Sequence, residues 1–162
     1  MLQENENFKI DMKPNIGKRF IAGLVDYSII FAFTFIYISF FGEPNDEGGM
    51  TVHGLSAFVP ILFWGIMTVG LEQFFGATLG NSLAGLKPVS IRESETTFSI
   101  GNEKLSFAQS FKRHLLDPMD MFPFGLIGII TINNTDKKQR LGDIWANTIV
   151  VKVSELDKRS LN

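Results

Sequence analysis

Two long apolar runs constrain this chain more than any other feature. Residues 20–41 read FIAGLVDYSIIFAFTFIYISFF, with Asp26 as the single charge. At 1.5 Å rise per residue, roughly 22 residues make a helix about 33 Å long, enough to cross a ~30 Å hydrocarbon core. Residues 55–71 carry no charge, and they reach spanning length when the helix continues through Glu72, Gln73, Phe74 and Phe75. Pro60 lies near the start of this run, where a bundle satisfies the carbonyl that proline frees. A third apolar stretch, residues 121–132, is too short to span alone. The first run does not read as a cleaved signal peptide: a mostly polar segment precedes it, it is too long, and no A-x-A site follows. Nor does the remainder of the chain hold enough amphipathic surface to bury both runs in a soluble core. The reading is an α-helical membrane protein.

Composition narrows the function classes. A net charge of −2 gives no basic excess to meet phosphates, so nucleic acid is not an expected partner. An apolar fraction of 45% excludes a disordered chain. The absence of cysteine removes disulfides, thiolate metal sites and cysteine nucleophiles. No cofactor motif occurs, and no spacing supports a Ser-His-Asp triad, so an enzyme is not expected.

Charge sets the expected topology. All 15 basic residues fall within residues 1–19, 76–120 and the segment after Ile132, whereas residues 42–53 hold only acidic charges. Short cytoplasmic segments are the ones enriched in Lys and Arg. Both termini are therefore expected inside and the 42–53 loop outside. Two spans return the chain to the inside, so residues 105–132 must not cross an odd number of times. Residues 105–120 are amphipathic, with Phe107, Phe111 and Leu115 on one stripe, and read as an interfacial or dipping helix. Pro118 and Pro123 then break the chain before a short half-helix at 124–132. The fold class expected is two transmembrane helices plus a bent, re-entrant helical hairpin. The alternative is three spans with the tail outside. Residues 86–92 and 96–100 read as a hairpin, and 148–153 as a β-branched strand. Pairing of the strand around 89–91 with 148–153 would make a small cytoplasmic β element.

Several polar residues stand out. Arg19 and Asp26 lie two helical turns apart on nearly one face. Arg19 is placed to snorkel to the inner interface. Asp26 lies about 10 Å deeper, where an ionised carboxylate is costly and needs a partner or water. It reads either as a cation- or proton-binding carboxylate, or as an interhelical hydrogen bond or ion pair that fixes the bundle. Glu72 sits near the inner end of the second span at similar depth, as a shared carboxylate or a solvated helix end. His114 and Asp117 have i, i+3 spacing, a weak metal signal without a second pair. Gly76, Gly80 and Ala84 at spacing four suggest close helix approach or a turn leaving the membrane. The segment lacks the phosphate-loop pattern. Asp143 is a candidate acceptor for Arg19 or Arg140.

Three motifs together resemble the RDD family of prokaryotic membrane proteins: R-F-x-A-x-x-x-D over residues 19–26, G-A-T-x-G over 76–80 followed by A-G-L-K over 84–87, and K-Q-R-L-G-D-x-x-A-x-T over 138–148. The resemblance runs over about residues 14–153. Arg19 and Asp26 match the family's arginine and first aspartate, and Asp143 is matched to the second. The family usually has Lys after G-x-T-x-G; here Asn81 stands there, which weakens an anion role. The domain expected is residues 16–153, with a polar N-terminal tail at 1–15 and a C-terminal tail at 154–162. The resemblance implies a prokaryotic cytoplasmic membrane location and suggests transport, some members being described as sodium/proton antiporters. On that reading Asp26 binds Na+ or another monovalent cation in exchange for protons, assisted by Glu72 and Asp120. Arg19, Arg140 and Asp143 form an inner lock, and a homo-oligomer is expected because one protomer leaves little room for a pathway. The alternative is a non-transporting assembly or scaffold module that binds a protein partner.

Overall fold

Apolar side chains cover every face of residues 16–41, so no amphipathic register exists to bury one side. The computed structural model describes residues 13–93, 98–100, 104–123 and 125–160. In it α1 (Ile16–Phe41) is a single 26-residue helix of mean hydropathy 1.9, and the second long helix runs over Gly54–Phe75 with mean hydropathy 1.8. Only 17% and 11% of their most apolar stretches are buried. A soluble core helix hides its apolar surface. These helices leave Phe31, Phe35, Phe40, Phe58 and Leu62 exposed, which only a lipid environment makes favourable.

The second helix changes winding along its length. A 3-10 turn (Gly54–Ala57) leads into α2 (Phe58–Gly65), a π turn follows at Ile66–Gly70, and α3 (Leu71–Phe75) completes it. Pro60 falls in the first turn of α2, where its missing N–H removes no helical bond. The connection between the two long helices is a short hairpin of β1 (Glu43–Pro44) and β2 (Met50–Thr51), closed by Asn45, whose Oδ1 accepts from the Gly49 amide at 2.7 Å. Phe33 stacks on Phe63 at 3.8 Å between the two long helices.

Both readings of the small-residue stripe occur. Gly76 ends α3 in the left-handed conformation at φ 81°, turning the chain out of the helix. Gly80, in α4 (Leu79–Leu83), lies so close to α1 that a Cβ there would be 2.0 Å from the Ala22 carbonyl oxygen. Only glycine fits.

A three-stranded antiparallel sheet follows in the order β4-β3-β5, with β3 Leu86–Glu93, β4 Phe98–Ile100 and β5 Thr148–Lys152. Val89 pairs with Ile149 and Ser90 with Thr148, the pairing expected from sequence. Val89, Ile91, Ile149, Val151 and Leu156 pack as its core. The outer edge of β5 is covered by side chains: Arg19 Nη2 donates to the Val150 carbonyl and Gln139 Nε2 to that of Thr148. The strand stops one residue earlier than the β-branched run suggests. Val153 opens α9 (Val153–Ser160) and donates its amide to the Gly85 carbonyl.

Between β4 and β5 lie α5 (Phe107–Leu115), α6 (Asp117–Asp120), α7 (Leu126–Asn134) and α8 (Leu141–Ala146). Helix α5 begins with a capping box in which Ser106 and Gln109 bond each other's backbone. Its stripe of Phe107, Phe111 and Leu115 points outward, with Phe107 66% exposed, while Ser110, Arg113 and His114 are buried. The helix is inverted relative to a soluble protein. That arrangement defines where the polar chemistry sits.

Candidate functional site

The buried polar face of α5 meets carboxylates from three other elements, α3, α6 and α8. Arg113 is 1% exposed and divides its guanidinium between two carboxylates: Nη1 to Glu72 Oε2 at 2.6 Å and Nε to Asp143 Oδ1 at 2.9 Å. Arg19 Nη1 donates to the other Asp143 oxygen at 3.2 Å, and Arg140 Nε lies 3.8 Å from Asp143 Oδ1. Asp143, at the start of α8, is thus the point at which α1, α5 and α8 join. Burial works to raise its pKa, but Arg113, Arg140 and Arg19 outweigh burial and hold the carboxyl below its ordinary range. Gly142 beside it is obligatory, since a Cβ would sit 2.4 Å from the Arg113 carbonyl oxygen.

Asp117 is the second junction. Its Oδ2 accepts from Tyr27 at 2.8 Å and lies 2.7 Å from His114 Nδ1, and Oδ1 is 2.7 Å from Arg140 Nη1. Against the upward push of burial, Arg140 and His114 bring Asp117 down to about 2. His114 Nε2 is 3.4 Å from Glu72 Oε2, so the ring bridges two carboxylates. Burial disfavours its imidazolium, yet Asp117 and Glu72 more than compensate and raise its pKa above 6.5.

Asp26 and Asp120 are held differently. Asp26 accepts from Thr78 Oγ1 at 2.6 Å and from the Gly80 amide at 2.7 Å. Asp120 accepts from the amides of Leu141 and Gly142 at 3.0 and 3.1 Å, with Arg140 Nε no closer than 3.9 Å. Burial raises the Asp120 pKa more than Arg140 and these amides lower it. Each carboxylate thereby secures the start of a neighbouring short helix to its own element. Each also keeps acceptor capacity, because a carboxylate offers about four lone-pair sites. Among the described residues Asp26 has no ion pair.

A cavity of about 90 Å³ separates α1 from the α5–α8 segment. Asp26, Asp117, Asp120, His114, Tyr27, Thr68 and Asn81 line it together with Arg19, Arg113 and Arg140. Ile16, Phe20, Met121, Ile129 and Ile132 are among its apolar lining.

Of the residues singled out from sequence, Asp26 and Asp120 share this cavity, and Arg19, Arg140 and Asp143 form one connected ion-pair cluster. Glu72 is not among the cavity-lining side chains; Arg113 holds it instead. Nor does Arg19 snorkel: its side chain is 10% exposed and bound within the protein. Among the expected partners of Asp26, the structure contains the hydrogen bonds and not a tail arginine. Sequence reasoning missed Arg113 and Tyr27 and saw His114 and Asp117 only as a metal pair. The signal was present: Ser110, Arg113, His114 and Asp117 lie opposite the apolar stripe of α5, but a polar helix face ordinarily meets water. Among the described residues no three His, Asp or Glu side chains converge as a metal site.

Two exposed apolar helices of spanning length, attached to a segment whose charges face inward, define an integral membrane protein. The chain matches the RDD family over residues 13–147, and it belongs to that family. Neither a curated protein nor a solved structure matches it.

Proposed function

We propose that this RDD-family membrane protein exchanges a monovalent cation for protons at the cavity beside Asp26 and Asp120. One observation carries the reading. Three guanidiniums (Arg19, Arg113, Arg140) face five carboxylates (Asp26, Glu72, Asp117, Asp120, Asp143) in and around one buried cavity. Uncompensated buried charge is expensive, so the excess of two negative charges favours uptake of positive charge. A proton on His114 balances one. The other calls for a second proton or a cation, and the two compete for the spare acceptor sites of Asp26 and Asp120. Asp143 with Arg19, Arg113 and Arg140 forms the lock that holds the cavity's walls together.

Membership of the RDD family supports a location in a prokaryotic cytoplasmic membrane, and the distribution of Lys and Arg supports both termini, the sheet and the tail inside and the 42–53 loop outside. On that topology residues 105–132 form a hairpin that enters and leaves from the cytoplasmic side. A homo-oligomer supplies the rest of any pathway, since a cavity of about 90 Å³ does not cross a membrane. Activity is tested in proteoliposomes with a trapped pH dye. A sodium or potassium pulse should move protons through the native protein, and Asp26→Asn should abolish the movement while still inserting and assembling. Native protein without cation-dependent proton movement refutes exchange. In that case Asp26 and Asp143 act only as fasteners of an assembly module.

A further inference from the structure

We infer that the corner where α5 meets α8 is a binding site for an anionic phospholipid of the surrounding bilayer, its phosphate held by Lys112 beside Trp145; this is independent of the exchange reading above. Packing creates the corner. Gly142 lets α8 approach α5 so closely that a Cβ there would be 2.4 Å from the Arg113 carbonyl oxygen. Gln109 fixes the same contact from α5, its Nε2 donating to the Ala146 carbonyl at 3.1 Å. Trp145, about one turn beyond Gly142, therefore lies beside Lys112, with the ammonium 5.6 Å from the ring centre. Trp145 is 48% exposed. Lys112 ion-pairs with no carboxylate among the described residues. Charge decides what covers the corner. Residues 104–134 hold two acidic side chains, Asp117 and Asp120, and both are buried. Of their three Lys and Arg residues Arg113 is buried, which leaves Lys104 and Lys112 as the charges this surface presents. At about 100° per residue Lys112 falls about 60° past Leu115, at the edge of the exposed stripe of Phe107, Phe111 and Leu115. A helix lying in the membrane interface buries such a stripe among acyl chains, and a lysine at its edge reaches back to the headgroups. Tryptophan favours the same level, with its ring against the acyl boundary and its N–H toward water. A second copy docking here through the same surface would bring lysine toward lysine, whereas a phosphate diester supplies the negative charge the corner lacks.

The experiment follows tryptophan fluorescence of the full chain reconstituted in phosphatidylcholine vesicles. The chain has two tryptophans, so Trp64→Phe leaves Trp145 as the sole emitter. A small, equal fraction of the lipid is replaced by brominated phosphatidylglycerol or by brominated phosphatidylcholine, with the quenching bromines at the same shallow acyl position. Phosphatidylglycerol should be enriched around Trp145 by up to about fivefold over phosphatidylcholine, the effect of one lysine at an anionic surface. Salt should weaken the preference. Lys112→Gln should abolish it and Lys112→Arg should keep it. In Trp145→Phe the remaining Trp64, within the second span, should be quenched equally by the two lipids, which places the preference at the corner. Equal quenching of Trp145 by both lipids overturns the inference, and so does a preference that survives Lys112→Gln or that Trp64 shares. Quenching of Trp64 without quenching of Trp145 also overturns it, because protein or water then covers the corner.

Discussion

Replacing Arg113 with methionine removes the guanidinium that joins Glu72 to Asp143, at a site where Arg113 is 1% exposed and both carboxylates are fully enclosed. The two acids do not lose equally. Asp143 keeps Arg19 at 3.2 Å and Arg140 at 3.8 Å. Glu72 keeps His114, at 3.4 Å, and the Ser110 hydroxyl but no guanidinium, and its Oε1 has no hydrogen-bond partner among the described residues. Breaking a buried pair from one side costs about 3–5 kcal/mol, because the remaining charge stays buried. Most of that cost should therefore fall on Glu72, and the double variant Arg113→Met/Glu72→Gln should recover more than half of it. The assay is reversible unfolding of detergent-solubilised protein, followed by circular dichroism. His114 supplies an internal check. At lower pH its imidazolium compensates Glu72, so Arg113→Met should be less damaging at pH 6 than at pH 8. A loss under about 1 kcal/mol, or no recovery in the double variant, would refute the assignment of Arg113 as the tie between the second span and α8.

Three further outcomes are expected. Gly80→Ala should destabilise by about 1–3 kcal/mol or more, since its Cβ would press on the Ala22 carbonyl and disturb the amide that Asp26 accepts; Ser82→Ala on the same short helix, measured beside it, should be nearly neutral. Thermal stability should fall as pH rises past 6.5 toward and through the raised pKa of His114, whose contribution is fully present below 6.5. It should also fall as pH drops from about 4 toward 2, where Asp117 gains its proton, and His114→Gln should remove the alkaline limb and reduce the acid one, since His114 helps Arg140 hold Asp117 ionised. Cysteines placed at Asn45 and Asn162 of this cysteine-free chain should label from opposite sides of the membrane; labelling from one side refutes the two-span topology with an inside tail.

Hydropathy alone determined the two long helices, because a run of some twenty apolar residues satisfies its own backbone and has no other low-energy environment. Strand pairing was legible for a related reason: residues 86–92 and 148–153 are short, β-branched and unstable alone, and a hairpin of 86–92 with 96–100 still leaves one edge of 86–92 to be paired. The lock between Arg19 and Asp143 was readable as a possibility from charge and depth, though its 124-residue separation left the partner open between Arg19 and Arg140. The tertiary structure alone decided which way α5 faces. Periodicity shows that Phe107, Phe111 and Leu115 share a side, but it is symmetric with respect to inside and outside. In water that stripe would turn inward; beside lipid-exposed helices it turns outward and carries Arg113, His114 and Asp117 into the interior. The same choice moved Glu72 from an expected partner of Asp26 to Arg113, and gave Asp26 a backbone amide and a threonine instead of an arginine. Sequence spacing reports which residues lie together on one element. Which buried charge answers which depends on distances of a few ångströms between elements, and those exist only once the helices have packed.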